Sequence, residues 1–387
     1  MPAHPGRVRS LDIARGLVMV LMAIDHVRVY AAVPAGGAAP ALFFTRWVTH
    51  FCAPGFVFFA GTSAWLHRTK LPGLSALSRF LLIRGLWLVV LELTAMRFFW
   101  TFNFDLINYN LAGVLWMIGW SMVALAGLVW LPLPAIAALG LAMIAGHNLI
   151  DPHVREIGRA LADDPLRWLY QFLYFGGSVR LGESGPRMAI LYSLVPWIGV
   201  MAAGYAFGAV LEQPEPRRRK ICLAIGTTAI VTFILLRTFN IYGDPRHWSP
   251  QQPLSFLNTA KYPASLLFLL MTLGPLIVLM PVFERMRGTV AAGLEIFGRV
   301  PLFYYVLHIP LIHLAAIAIS LIRTGAVTPW LFGNHPLEPP DPPDGYRWSL
   351  TLLYLVTAVC VGMLFVACRW YGRRRTVVGN GKLTVAS

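Results

Sequence analysis

The sequence predicts an all-α, polytopic membrane helix bundle of about ten transmembrane helices, with N- and C-termini cytoplasmic. Three observations predict it. Of 387 residues, 57% are hydrophobic and only 13% charged, against roughly 25% charged in a soluble chain. The apolar residues form long stretches, and a bilayer core takes roughly 20 of them per helix. The basic residues collect in alternate loops, as the cytoplasmic preference of Lys and Arg requires. Together they exclude a disordered chain and argue against an ordinary water-soluble enzyme.

The stretches lie near 11–33, 41–66, 78–96, 108–131, 133–149, 188–211, 221–239, 263–282, 294–322 and 348–369. Lipid offers unpaired backbone groups no partner, so spans this long should be helices. Strand alternation is absent throughout, which argues against a barrel. With the N-terminus inside, the cytoplasmic segments hold Arg7, Arg9 and Arg15, then Arg68, Lys70 and Arg79, then the run Arg217-Arg218-Arg219-Lys220. Arg285, Arg287 and Arg299 follow, and Arg369, Arg373, Arg374, Arg375 and Lys382 finish the chain. Outer segments mix signs, as in Asp151, Arg155, Glu156, Arg159, Asp163 and Asp164. The net charge of +15 is therefore mostly an orientation signal and calls for no nucleic-acid partner.

The first span ends near Ala32-Val33-Pro34-Ala35, a small-residue stretch, but Asp25, His26 and Arg28 interrupt its apolar region. It reads as an uncleaved span. Cys52, Cys222, Cys360 and Cys368 show no CxxC pair and no zinc spacing, so free buried thiols are expected and no metal. One integral-membrane domain covers 1–387, with a basic cytoplasmic tail over 373–387. The aromatic run from Trp168 to Phe175, ended by Gly176-Gly177, suits an interfacial helix and a turn. The segment 333–346, with Pro339-Pro340-Asp341-Pro342-Pro343, reads as an irregular outer loop.

Ionisable groups inside spans are costly and suspect by default. At 100° per residue, Asp12, Arg15, Met19, Met22 and His26 share one stripe of the first span. Asp25 and Arg28, three apart, are spaced to pair. Arg46 and His50 share a face of the second span, and His26 of the first span and His50 of the second fall at similar depth in the outer half of the membrane. His308 lies near the middle of the ninth span and His313 near its outer edge. Each has a structural reading as well: an Asp25–Arg28 pair neutralises itself, and a histidine in a span often bonds a neighbouring helix. Arg84 and Glu92, two turns apart, suit a structural pairing with another helix.

These residues sit in familiar surroundings. Arg9-Ser10-Leu11-Asp12-Ile13-Ala14-Arg15-Gly16-Leu17 resembles the first-helix signature of integral-membrane acyltransferases. Three further stretches narrow the likeness: Phe44 to Pro54 running on to Phe59-Ala60-Gly61-Thr62-Ser63, Pro196 to Met201 with Gly204-Tyr205, and Tyr304 to His313. Together they resemble the bacterial relatives of the heparan-α-glucosaminide N-acetyltransferase catalytic domain, over nearly the whole chain. The resemblance implies acetyl-CoA as donor and a multi-pass protein of the inner membrane. The lysosomal member of that family has Asn where this chain has His26, and a His near the position of His308. Its proposed catalytic His lies where this chain has only Ala39-Pro40, so His26 or His50 would have to replace it.

Acyl transfer needs a base for the acceptor, and imidazole titrates near neutrality. His26, His50 and Asp25 are the candidate catalytic residues, with Asp25 orienting an imidazole. Arg46, His308 and Trp197 are expected at the substrate, and Asp12 and Arg15 at the CoA phosphates. The expected reaction moves an acyl group, acetyl by the resemblance, to a hydroxyl or amine of a glycan or lipid-linked acceptor on the outer side. Membrane lipids are the other expected partner, and a homodimer is left open. The alternatives are a proton-coupled transporter or flippase, whose intramembrane Asp, His and Glu would relay protons, and a scaffold whose polar groups only join helices.

Overall fold

The computed structural model describes residues 8–383 except 38, 163, 183 and 334–340, with side chains described through residue 374. In chain order the α-helices are α1 (Arg9–Tyr30), α2 (Pro40–Trp47), α3 (Cys52–His67), α4 (Leu74–Leu91), α5 (Arg97–Thr101), α6 (Val114–Leu128), α7 (Leu133–Gly146) and α8 (Val154–Ala160). They continue as α9 (Arg167–Tyr170), α10 (Leu194–Leu211), α11 (Glu215–Thr238), α12 (Leu266–Arg285), α13 (Thr289–Arg299), α14 (Pro301–Thr324) and α15 (Leu350–Leu383). Among the described residues, seven helices are long and apolar enough to cross a membrane: Leu74–Thr101, Leu133–Ala160, Leu194–Leu211, Glu215–Thr238, Leu266–Arg285, Pro301–Thr324 and Leu350–Arg374. Each overlaps one of the expected stretches.

Prolines break two stretches that read as continuous in sequence. The stretch 41–66 divides into α2, a 3-10 turn over Val48–Phe51, and α3. Pro54 has no N–H to offer the carbonyl of residue 50, and its ring crowds the preceding turn. The stretch 294–322 divides at Val300, which is driven out of the helical region to φ −131°, ψ 51°. The following Pro301 disfavours a helical predecessor and starts α14.

Among the described residues three short strands join the helices, an addition to the all-α architecture expected. β1 (Asn110–Ala112), β2 (Gly177–Arg180) and β3 (Arg187–Ile190) form a sheet of order β1-β3-β2. β1 runs parallel to β3 with Asn110 opposite Met188, and β2 antiparallel with Gly177 opposite Ile190. At three or four residues each, these strands are too short to show alternation. The aromatic run forms a short helix, a π turn over Gln171–Phe175, and a reversal at Gly176 and Gly177, whose φ values are 67° and 90°. α15 runs on through much of the expected tail, of which 384–387 lie outside the described residues. Half of the Pro-rich loop, 334–340, also lies outside them. All four cysteines are free and buried.

The chain forms two compact units. The first comprises residues 1–52, 99–102 and 279–387. In it α1 packs on α13 with no room for side chains. A Cβ at Gly16 would lie 1.9 Å from the Leu294 carbonyl oxygen, and one at Gly298 1.8 Å from that of Asp12. Only glycine permits so close an approach. The Tyr304 hydroxyl on α14 donates to the Met19 carbonyl at 3.0 Å, joining α14 to α1.

The second unit comprises 53–98 and 103–278. Here too the helices meet at small residues, Gly85 against Gly119 and Gly226 against Gly274. Two buried arginines close its loops. Arg97 donates to the carbonyls of Asn103, Asp105 and Tyr109, and Arg237 to those of Arg246, Ser255 and Phe256.

A candidate acyl-transfer site in the first unit

The site begins on α1, whose stripe carries Asp12, Arg15 and His26. His26 meets His308 of α14, with Nδ1 and Nε2 2.6 Å apart. His308 is wholly buried, and its Nδ1 lies 2.5 Å from the Tyr305 carbonyl oxygen. A carbonyl only accepts, so His308 Nδ1 carries the hydrogen. In neutral His308 the Nε2 then accepts, and the hydrogen between the rings belongs to His26 Nδ1. This fixes the tautomer of His26 with its lone pair on Nε2, the nitrogen a general base needs. Trp100 stands edge-on to His26, with ring centroids 5.0 Å apart.

Next to His26 in sequence, Asp25 accepts from two guanidiniums: Arg28 Nε at 3.0 Å and Arg46 Nη1 at 3.1 Å. The expected i,i+3 pair is therefore present, with a second arginine added. Arg46 Nη1 also donates to the Thr49 hydroxyl at 3.1 Å, and Arg28 to the Val33 carbonyl at 2.9 Å. Two cations facing one carboxylate leave a positive surplus beside His26 in sequence and on the same unit. His50 is buried in the turn Val48–Phe51, but the ring brought to His26 is that of His308.

His313 follows the structural reading. Its Nδ1 donates to the Phe99 carbonyl at 3.0 Å, and its ring stacks on Phe102 and Tyr30. Glu92 does too: its Oε2 accepts the Leu115 N–H at 3.1 Å and caps the first turn of α6. Trp197 belongs to the second unit, fully buried and edge-on to Tyr192 at 5.5 Å.

At the start of α1 a second charged group gathers. Arg15 lies 3.9 Å from Asp12, and Arg9 lies 3.1 Å from Glu295 of α13, which Arg299 also engages. Arg9 and Arg299 present themselves in sequence only as orientation charges. Trp100 and Thr49, also absent from the sequence candidates, carried no signal beyond ordinary span composition.

Long apolar helices with a polar cluster on buried helix faces define a multi-pass membrane protein whose polar groups are suited to proton transfer. The family described as heparan-alpha-glucosaminide N-acetyltransferase, catalytic, matches residues 7–242, more than half of the chain. The chain belongs to that family. That match covers α1, α2 and the turn holding His50, and it ends before α14. No curated protein matches the chain.

Proposed function

We propose that this protein is a bacterial inner-membrane acyltransferase that moves an acetyl group from acetyl-CoA to a hydroxyl or amine of a glycan or lipid-linked acceptor on the extracytoplasmic side. The observation that carries the reading is the His26–His308 pair with its fixed tautomer, in a chain of an acetyltransferase family. His26 Nε2 takes the proton of the acceptor hydroxyl or amine as its heteroatom attacks the thioester carbonyl. The tetrahedral oxyanion collapses, the carbon–sulfur bond breaks, and the departing thiolate takes the proton from the His26 imidazolium. His308 is a positioning residue that holds the ring of His26 and its tautomer.

Arg46 is assigned to an anionic group of the substrate or the oxyanion, since with Arg28 it outnumbers Asp25. Arg15 and Arg9 are assigned to the CoA phosphates. With Arg299 they set three cations against Asp12 and Glu295, a balance that suits an anion. The second reading, a proton-coupled transporter or flippase, draws on the same pair, because two imidazoles in contact also relay protons.

Purified protein given acetyl-CoA and candidate amine or hydroxyl acceptors should release thiol. His26→Ala should lower that rate by about 10²–10⁴-fold. Substrate uptake into vesicles that needs a proton gradient and no CoA would favour the transporter. Wild-type thiol release by His26→Ala would remove His26 from the reaction.

A further inference from the structure

Arg84 is the charge of the second unit that a bilayer makes hardest to place. It lies within the long apolar helix Leu74–Thr101, about 15 Å along the axis from Leu74 at 1.5 Å per residue. It is exposed there, among the exposed side chains of Ile83, Leu86 and Trp87. Glu92, two turns further on, is buried against the start of α6, so burial separates the two residues that the sequence groups.

A cation on a lipid-facing side is tolerated where its head reaches the polar boundary. Helical side chains lean toward the helix N-terminus, and Arg84 follows the rule. Its guanidinium carbon lies 5.8 Å from the centroid of the Phe80 ring, one turn back. The same ring meets that of His67, with centroids 4.6 Å apart. His67 ends α3, and the exposed Lys70 follows it in the 3-10 turn Arg68–Lys70. Phe80 therefore joins the end of α3 to α4, and basic side chains from both gather at it. The charges of Lys70 and Arg84 both reach His67: burial first, and then these two, hold its imidazole below its ordinary value. Glu212, which also reaches this turn, is gripped by Arg68 and Trp65.

Like charges gathered at one apolar ring repel, and an anion among them relieves the repulsion. The sequence expects this turn on the cytoplasmic side, where membrane lipids carry negative headgroups. An apolar face continues from the charges: Ile83, Trp87 and Val90 share one side of α4 and are each more than half exposed. A charged head with acyl chains attached matches both parts of this surface, whereas a soluble anion matches only the first.

We propose that His67, Lys70 and Arg84 form a binding site for the headgroup phosphate of an anionic phospholipid, with its acyl chains along Ile83, Trp87 and Val90. The site stands on the second unit alone and does not depend on acyl transfer.

The test uses the full chain in phosphatidylcholine nanodiscs with and without phosphatidylglycerol. Melting temperature and the lipid retained after transfer to detergent, read by native mass spectrometry, are the readouts. Phosphatidylglycerol should raise the melting temperature and be retained in preference to phosphatidylcholine. Arg84→Gln and Lys70→Gln should each weaken that retention about tenfold and shrink the rise in melting temperature. Arg219→Gln, which removes an equal exposed charge on α11, should change neither. If Arg84→Gln fails to fold, Lys70→Gln against Arg219→Gln decides the question. Equal retention by wild type, Arg84→Gln and Lys70→Gln overturns the proposal, as does an equal loss in Arg219→Gln, which would make the preference one of net charge. Stabilisation by inorganic phosphate in pure phosphatidylcholine as large as that by phosphatidylglycerol also overturns it, in favour of a soluble anion.

Discussion

The imidazoles of His26 on α1 and His308 on α14 meet at 2.6 Å, and the second bond of His308, to its own helix at Tyr305, sets which nitrogen of each ring holds hydrogen. The pair therefore has a direction. His308 should act through His26: His308→Asn should lower kcat more than it raises KM and shift the pH–rate profile. His26→Ala should remove the pH dependence contributed by the pair. Steady-state thiol release across pH separates the two. An unchanged profile in His308→Asn would mean that His308 only fills space.

Asp25 holds two arginines, so losing it should be worse than losing either of them. Asp25→Asn leaves two partly buried cations without their shared anion and should cost about 3–5 kcal/mol. Arg28→Met leaves Asp25 with Arg46 and should cost less. Denaturant unfolding in micelles gives both numbers; equal losses would contradict the shared-carboxylate arrangement.

Gly16 and Gly298 are fixed by backbone contact. Gly16→Ala or Gly298→Ala forces α1 from α13 and should destabilise by about 1–3 kcal/mol or more. A Cβ at Gly146 meets nothing within 4 Å, so Gly146→Ala should be near neutral. Thermal melting of the three variants side by side checks the contrast.

Glu92 caps α6, and the absence of a Cβ at Gly113 makes room for it: one there would lie 2.1 Å from Glu92 Oε1. Glu92→Ala should cost about 1–2 kcal/mol by stranding the Leu115 N–H, and Glu92→Gln less, because its amide oxygen still accepts. Gly113→Ala should displace the same carboxylate. The double variant Glu92→Ala with Gly113→Ala should then fall short of the sum of the single losses.

Glu212 gives a pH signature. Arg68 grips it through two bonds of 2.9 and 3.0 Å, with Trp65 donating a third at 3.0 Å. Hydrogen bonding to Arg68 holds its carboxyl below the ordinary value of 4.5. A depressed carboxylate stabilises the fold above its unfolded pKa, and that contribution disappears as pH falls through the folded one. Melting temperature should therefore fall as pH drops below 4.5, with a shallower slope in Glu212→Gln. The difference should be small, since both side chains are partly exposed. Identical slopes would assign the acid sensitivity to other groups.

Much of this protein is legible in its residues. Long apolar stretches can only be helices where the backbone has no other partner, so the helical membrane architecture follows from composition and spacing. The Asp25–Arg28 pair follows from helical geometry, because three residues bring side chains to one face. The free buried thiols follow from cysteine spacing. The breaks at Pro54 and Pro301 were open to the same reasoning, since proline's missing N–H is a local property. The three short strands were not, because three residues carry no period.

What the sequence left undecided is which helices touch. His26 and His308 are 282 positions apart, and no pattern along one helix says which other helix its polar face will meet. Depth along the spans placed His50, rather than His308, level with His26, yet the ring that meets His26 is that of His308. Only the packing of α14 beside α1, through Tyr304 and Met19, decided it. Likewise, glycine in the first-helix signature announces a close approach, but that α13 is what approaches, carrying Glu295 toward Arg9, is a property of the assembled helices. Local chemistry fixes elements and their polar faces, whereas interhelical hydrogen bonds depend on relative positions that only tertiary packing sets.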